Sequence, residues 1–206
     1  MNLKWKFFIT VIAGIAIVAC WQLPLKASVD TGAAAPNFTL PDVDGQEHSL
    51  ADYQGKYVVL EWVNHDCPFV KKHYGSGNMQ QLQSKYTERG VVWLSINSSA
   101  PGQQGYCDGA KAKELTQAKE ASPSAVLLDP DGEVGKLYGA KTTPHMYIIS
   151  PEGNLIYQGA IDDTPSFDPD DIPESKNYVE LALSEAMAGK PVSIPSTKSY
   201  GCSVKY

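Results

Sequence analysis

Tyr57-Val58-Val59-Leu60-Glu61-Trp62-Val63-Asn64-His65-Asp66-Cys67-Pro68-Phe69-Val70 is the stretch that decides how this chain folds. Tyr57 to Val63 is almost unbroken apolar, β-branched and aromatic sequence, which predicts a strand buried on both faces within a sheet that has parallel neighbours. Four residues on, Cys67 stands where a helix can begin, with Pro68 at the first helical position. A helix N-terminus presents unpaired N–H groups and a positive dipole end, and both favour a thiolate over a thiol. Such placement can bring a cysteine from about 8.5 to roughly 3.5–7.5, which makes Cys67 a candidate nucleophile. A buried, inert thiol is the competing reading of the same residue.

Working outward, Phe38 to Leu40 and Glu47 to Leu50 flank Asp42-Val43-Asp44-Gly45-Gln46, a hairpin-type turn. After Cys67, a helical stretch runs to about Tyr74, breaks at Gly75-Ser76-Gly77-Asn78 and resumes from Met79 to about Glu88, where Gly90 ends it. Strands are expected at 91–96, 125–128, 146–149 and 155–158, and helices at 110–121, 133–138 and 178–188. A glycine-rich loop at 97–109 carries Cys107. Asp162 to Glu174, rich in Asp and Pro, reads as a solvated loop, and Lys71 and Lys72 read as a solvated helix face. Alternating strands and helices followed by a terminal hairpin and helix give an α/β fold, a central mixed sheet covered on both faces. Cys67 then falls at the carboxyl edge of the parallel strands, where function collects in such sheets.

The first 27 residues differ in kind. Lys4 and Lys6 precede an apolar run, Phe7 to Ala19, broken only by Thr10 and Gly14 and ending at Cys20. This is the pattern of an export signal. Three outcomes stand: lipidation of Cys20 within the lipobox-like Ile17-Val18-Ala19-Cys20, cleavage near Ala27, or an uncleaved membrane anchor. Each delivers the domain outside the cytoplasm, to a periplasmic or membrane-tethered position where disulfides persist. Residues 28–34 read as a linker, 35–190 as one domain and 191–206 as a tail carrying Cys202.

A net charge of −6 and a single arginine, Arg89, leave no basic face for a phosphate backbone, so nucleic acid is not an expected partner. The four cysteines, Cys20, Cys67, Cys107 and Cys202, are too scattered for a disulfide scaffold and lack paired metal-ligand spacing. No cofactor is implied.

Three motifs carry a family resemblance: Ala35-Pro36-Asn37-Phe38-Thr39-Leu40 with Asp44-Gly45, the strand that runs into Cys67-Pro68, and Thr143-Pro144 before a strand. From Ala35 to the C-terminus the chain resembles the thioredoxin-fold redoxins of the peroxiredoxin and thiol-specific-antioxidant superfamily. Asp66-Cys67-Pro68-Phe69-Val70-Lys71 and the closing Gly201-Cys202-Ser203-Val204-Lys205-Tyr206 are similar to an exported, peroxiredoxin-like branch of it. The resemblance implies a cis peptide at Thr143-Pro144 packed against the reactive sulfur. From the residues alone, Pro144 reads equally as a strand-entry proline.

The chain departs from both parent patterns. Asn64 occupies the position three before Cys67 where a thioredoxin has its other cysteine, so no dithiol lies within the motif. A peroxiredoxin would place Pro and Thr where Leu60 and Asn64 stand, and would hold peroxide with an arginine; Arg89 is well downstream. Asn64 reads either as a hydrogen-bond donor to the sulfur or as a helix cap.

A lone thiolate needs a resolving partner. Cys202 is the first candidate and Cys107 the second, with a structural disulfide between Cys202 and either Cys67 or Cys107 as the competing reading. Glu61 interrupts the apolar strand, so it is either a buried proton carrier or a side chain that reaches solvent at a sheet edge. His65, His73 and Lys71 are candidate positive charges near the sulfur, with Asp66 opposing them. The leading function is an exported thiol-disulfide oxidoreductase with Cys67, Cys202, Asn64, Thr143, Pro144 and Glu61 at its site, acting on a redox partner protein. A thiol peroxidase acting on hydroperoxide is the nearest rival. A copper-delivery module using Cys67 with His65 or His145, and a noncatalytic binding domain, are the rivals from other classes.

Overall fold

The computed structural model describes residues 29–206; the expectations for the export segment and Cys20 lie outside them. A short antiparallel hairpin, β1 (Thr39–Pro41) and β2 (Glu47–Ser49), opens the fold. Its turn is held by Asp42, whose Oδ1 accepts the N–H groups of Asp44 at 2.8 Å and Gln46 at 2.9 Å. Then follow β3 (Val58–Trp62), α1 (Pro68–Gly75), α2 (Asn78–Thr87), β4 (Val92–Asn97), α3 (Gly109–Ala118), β5 (Ala125–Leu128) and α4 (Glu133–Tyr138). The two-residue β6 (Thr142–Thr143) leads into β7 (His145–Ile149), β8 (Leu155–Gly159), α5 (Tyr178–Met187) and a second two-residue strand, β9 (Cys202–Ser203).

The central sheet has the order β5-β4-β3-β7-β8. β3 pairs in parallel with β4, and β4 with β5, whereas β7 is antiparallel to both β3 and β8. It is thus the mixed sheet expected, in a thioredoxin-like α/β arrangement with helices on both faces. Every residue of β3 is buried, in keeping with its central place. Strand alternation divides the core. Leu60 and Trp62 face the layer of Phe38, Leu40, Tyr138 and Tyr147. Val59 and Val63 face Val70, Tyr74, Met79, Tyr86, Val179 and Leu183 from α1, α2 and α5. Glu61 lies on this second face, fully buried, which removes the reading that it reaches solvent.

Two further expectations are corrected. Lys72 is buried rather than solvated: its Nζ donates to the Thr164 carbonyl at 3.1 Å and to Ser166 Oγ at 3.3 Å, and lies 3.9 Å from Asp162 Oδ2. Lys71, its neighbour, is exposed as expected. The Asp162 to Glu174 segment is not a plain solvated loop, because Asp162 is buried and 169–174 forms a 3-10 helix. Both surprises have one cause: this segment folds back over the C-terminal turn of α1 and supplies Lys72 with partners that no local sequence pattern announces. Among the described residues, no helix is long and apolar enough to cross a membrane.

Candidate active site

Cys67 is the N-cap of α1, directly preceding Pro68, and is wholly buried. Its Sγ–H donates to the Thr143 carbonyl at 3.1 Å. That carbonyl belongs to the residue before Pro144, and the Thr143-Pro144 peptide is cis, as the family resemblance implied. β6 pairs antiparallel with β9, with Thr143 opposite Cys202 and Thr142 opposite Ser203. The last residues therefore carry Cys202 against Cys67, its thiol and its N–H both within hydrogen-bonding reach of the Cys67 sulfur. Both are free thiols here, as is Cys107.

The two sulfurs are electrostatically unequal. Burial opposes ionisation of Cys67, but it is outweighed by hydrogen bonds from the Cys202 thiol, the Val70 and Cys202 backbone N–H groups and the Thr143 side chain, so Cys67 lies below the usual thiol range. Cys202 is pushed up to about 11, first by burial and then by its hydrogen bond to Cys67 and the adjacent Cys67 charge. Of the two, Cys67 therefore gives up its proton more readily than Cys202.

The other expected residues fall at different distances from this centre. Asn64 ties two turns together: its Oδ1 accepts the Asp66 N–H at 2.9 Å and its Nδ2 donates to the Gln104 carbonyl at 3.2 Å. Helix capping falls to Cys67, not Asn64. Glu61 accepts from Tyr74 Oη at 2.7 Å on one oxygen. On the other it accepts from Trp93 Nε1 at 2.8 Å, Ser95 Oγ at 2.9 Å and Gln83 Nε2 at 3.2 Å. Burial still raises its carboxyl above the ordinary range, despite these donors. Cys107 packs with Ala112 and Val126 in a separate apolar cluster and is raised to about 11, by burial and then by the charges of Asp108 and Asp66. The expectation of positive charge from histidine is corrected: burial lowers His65 to about 4 and His73 to about 3, so both are neutral near pH 7. Arg89, the chain's one arginine, lies over the Tyr86 ring at the end of α2.

Sequence reasoning missed a second polar group beside the site. Tyr200 Oη hydrogen-bonds Asp162 Oδ1 and lies 3.3 Å from His73 Nε2, while Asp162 Oδ2 is 3.7 Å from His73 Nε2. The Tyr200 ring packs edge-on against Phe69 of α1 with centroids 5.7 Å apart. Tyr200, two residues before a candidate cysteine, was the available signal. Among the described residues, no group of three or more His, Cys, Asp or Glu side chains is placed to hold a metal ion. His145 directs its Nδ1 to the Lys141 N–H at 3.3 Å and the Tyr147 hydroxyl at 3.1 Å.

Comparison with known proteins agrees with this geometry. The model of the AhpC/TSA family matches residues 31–158. A thiol-disulfide oxidoreductase, ResA, of Bacillus thuringiensis is 28% identical over 133 residues, 65% of this chain and 71% of the relative. A putative peroxiredoxin, bcp, of Coxiella burnetii is 32% identical over 113 residues, 54% of this chain and 68% of the relative. Among solved structures, an uncharacterized conserved protein from Geobacillus kaustophilus is similar with a TM-score of 0.73 at 28% identity, covering 86% of this chain and 92% of that one. A putative thiol:disulfide interchange protein, DsbE, from Chlorobium tepidum is similar with a TM-score of 0.53 at 28% identity, over 64% and 85%. A thioredoxin-like fold, a helix-capping cysteine with a second thiol against it and a family match over most of the domain converge: the chain belongs to the AhpC/TSA family, and all three support an oxidoreductase function.

Proposed function

We propose that this chain is an exported thiol-disulfide oxidoreductase in which Cys67 is the nucleophile and Cys202 the resolving thiol. The observation that carries the reading is the second thiol, brought by β9 against the sulfur that caps α1. The Cys67 thiolate attacks one sulfur of a partner's disulfide, forms a mixed disulfide and releases the other partner sulfur as thiolate. The Cys202 thiolate then attacks Cys67, forms the Cys67–Cys202 disulfide and releases the second partner thiol. The order is self-timing. The Cys67 charge and hydrogen bond that help hold the Cys202 proton vanish once Cys67 is consumed, so the resolving thiol ionises more readily at the moment it is needed.

The remaining candidates take supporting parts. Thr143, held by the cis peptide to Pro144, offers its carbonyl to the sulfur. Asn64 fixes the turn that leads into Cys67, and Glu61 is a buried acid able to keep a proton beneath α1. The N-terminal 1–27 is the export segment, 35–190 the domain, and 191–206 a tail that belongs functionally to the site. The redox partner is a protein thiol or disulfide outside the cytoplasm. Hydroperoxide as oxidant would use the same sulfur but lacks the guanidinium, since Arg89 sits elsewhere.

Incubating the reduced protein with a protein disulfide or with hydrogen peroxide, then mapping its disulfides by mass, tests this reading. Wild type is expected to yield Cys67–Cys202 from the protein disulfide, and Cys202→Ser to accumulate a mixed disulfide at Cys67. Consumption of peroxide with no turnover of the protein disulfide would overturn it in favour of a peroxidase.

A further inference from the structure

The chain between Thr197 and Cys202 is held in an unusual way. Upstream, the Thr197 N–H bonds the Gln158 carbonyl at 3.0 Å, and Thr197 Oγ1 accepts the Ala160 N–H at 2.9 Å. Downstream, the Val204 N–H bonds the Lys141 carbonyl at 3.1 Å, the Lys205 carbonyl accepts the Ala100 N–H at 2.7 Å, and Tyr206 Oη donates to the Ala140 carbonyl at 2.7 Å. Between these anchors, Lys198 and Ser199 run between two clefts, whereas Tyr200 and Gly201 pack against α1 and β6. A cleft of about 350 Å³ opens on the side of Asp162 and Tyr178, and another of about 380 Å³ on the side of His145 and Gln158; Lys198 and Ser199 line both. Among the described residues, this stretch is hydrogen-bonded through one side chain, the Tyr200 hydroxyl, with Asp162 and His73.

The socket for that hydroxyl is built from buried groups. Asp162, His73 and Lys72 are each no more than 3% exposed. Lys72 faces Asp162 from the next position on α1, and Asn78 Nδ2 lies 2.9 Å from His73 Nδ1, so both the carboxylate and the imidazole are oriented from behind. Gly201, which follows Tyr200, lies so close to β6 that a Cβ there would meet the Thr143 carbonyl oxygen at 2.1 Å. The direction in which the chain leaves Tyr200 is therefore the direction in which it enters β9.

We infer that Tyr200, seated between Asp162 and His73, is a positioning residue: its anchorage sets how closely and how persistently the tail presents Cys202 to Cys67. The inference rests on the proposed relay. It goes beyond it by locating what makes the distant thiol an effective partner, namely a buried polar socket rather than the cysteine ladder alone. Without the hydroxyl, the stretch from 198 to 201 has no polar hold and samples positions away from the sulfur, which lowers the effective concentration of Cys202 at Cys67. Tyr200 acts through the tail, two residues before Cys202.

The test is the equilibrium of the full chain with glutathione. Protein dithiol and glutathione disulfide exchange to give the Cys67–Cys202 disulfide and two glutathione thiols, the protein losing two electrons and two protons. Tyr200→Phe keeps the ring against Phe69 and removes only the hydroxyl. The ratio of internal disulfide to mixed glutathione disulfide at Cys67 is expected to fall roughly tenfold, the loss of one hydrogen bond to a charged group. The Cys67 titration, followed by ultraviolet thiolate absorbance, is expected to move upward with it, because the Cys202 donors are then present for less of the time. Tyr200→Leu, which also gives up the ring contact, goes further in the same direction.

A Tyr200→Phe protein that melts earlier but keeps the wild-type disulfide ratio and Cys67 titration would make the residue merely structural and overturn the inference. Failure of wild type itself to form any Cys67–Cys202 disulfide would instead overturn the relay on which it rests.

Discussion

Replacing Cys202 with alanine should raise the Cys67 pKa, and the structure sets the size of the rise. The buried Cys67 sulfur is stabilised as a thiolate by the Cys202 thiol, two backbone N–H groups and the Thr143 side chain, against the cost of burial. Alanine retains the Cys202 N–H and deletes only the S–H. A hydrogen bond to a charged group contributes about 1.5–3 kcal/mol, and a thiol is a weak donor, so the low end applies. At 1.36 kcal/mol per pKa unit, the expected rise is about one unit. Water entering the space left by the side chain works the other way by hydrating the thiolate, so one unit is an upper figure. Cys202→Ser serves as the paired variant, because its hydroxyl is the better donor and should hold the Cys67 pKa at or below that of wild type. The assay is thiolate absorbance against pH, with Cys107→Ser as the common background. If alanine leaves the titration unchanged or lowers it, the hydrogen bond from Cys202 is not what stabilises the thiolate.

Gly201→Ala should undock the tail without touching a sulfur, since its Cβ would lie 2.1 Å from the Thr143 oxygen at a φ of +133°. A loss of about 1–3 kcal/mol in urea unfolding and faster alkylation of Cys202 are expected; unchanged alkylation would place the tail's hold elsewhere. Glu61 gives stability a pH slope. Its carboxyl titrates above the ordinary 4.5 because burial outweighs its donors, so the native state binds its proton longer than the unfolded state does. Its contribution is therefore complete below pH 4.5 and declines as pH rises toward the native value. Glu61→Gln should flatten that part of the stability profile, whereas a parallel profile, merely displaced, would show that Glu61 is not the source. Cys107→Ser should leave turnover of a protein disulfide intact while costing about 1–3 kcal/mol of stability, as a hydroxyl placed in an apolar cluster does; loss of turnover would return Cys107 to the relay.

How much of this was legible in the sequence depended on how local the physics is. The apolar run from Val58 to Trp62 and the Cys67-Pro68 step specify a central strand and a helix N-terminus through nearest neighbours alone, and both stand where expected. The cis Thr143-Pro144 peptide was legible only through resemblance, since the residues themselves allow a plain strand entry. Lys72 and Asp162 were misread because a charged residue looks solvated unless its partner is known, and that partner comes from 90 residues away. Asn64 was read toward the sulfur or the helix cap, and instead it faces Gln104, which lies 40 positions on. Tyr200 escaped notice for the same reason: its partners, His73 and Asp162, lie 127 and 38 positions away.

The long stretch of chain between Cys67 and Cys202 has a thermodynamic consequence. A bond between Cys67 and Cys202 would close a ring that contains α1 through α5 and four of the five strands of the central sheet. A loop of more than 100 residues removes about 5 kcal/mol of unfolded-chain entropy at 25 °C on the loop-closure model. By linkage, whatever the bond adds to folding, folding adds to the bond. The oxidised protein should therefore be the harder one to denature, and an unfolding chain the easier one to reduce. On the proposed relay, turnover would alternate between an open chain and one closed from Cys67 to Cys202, with different freedom to lose the same native contacts.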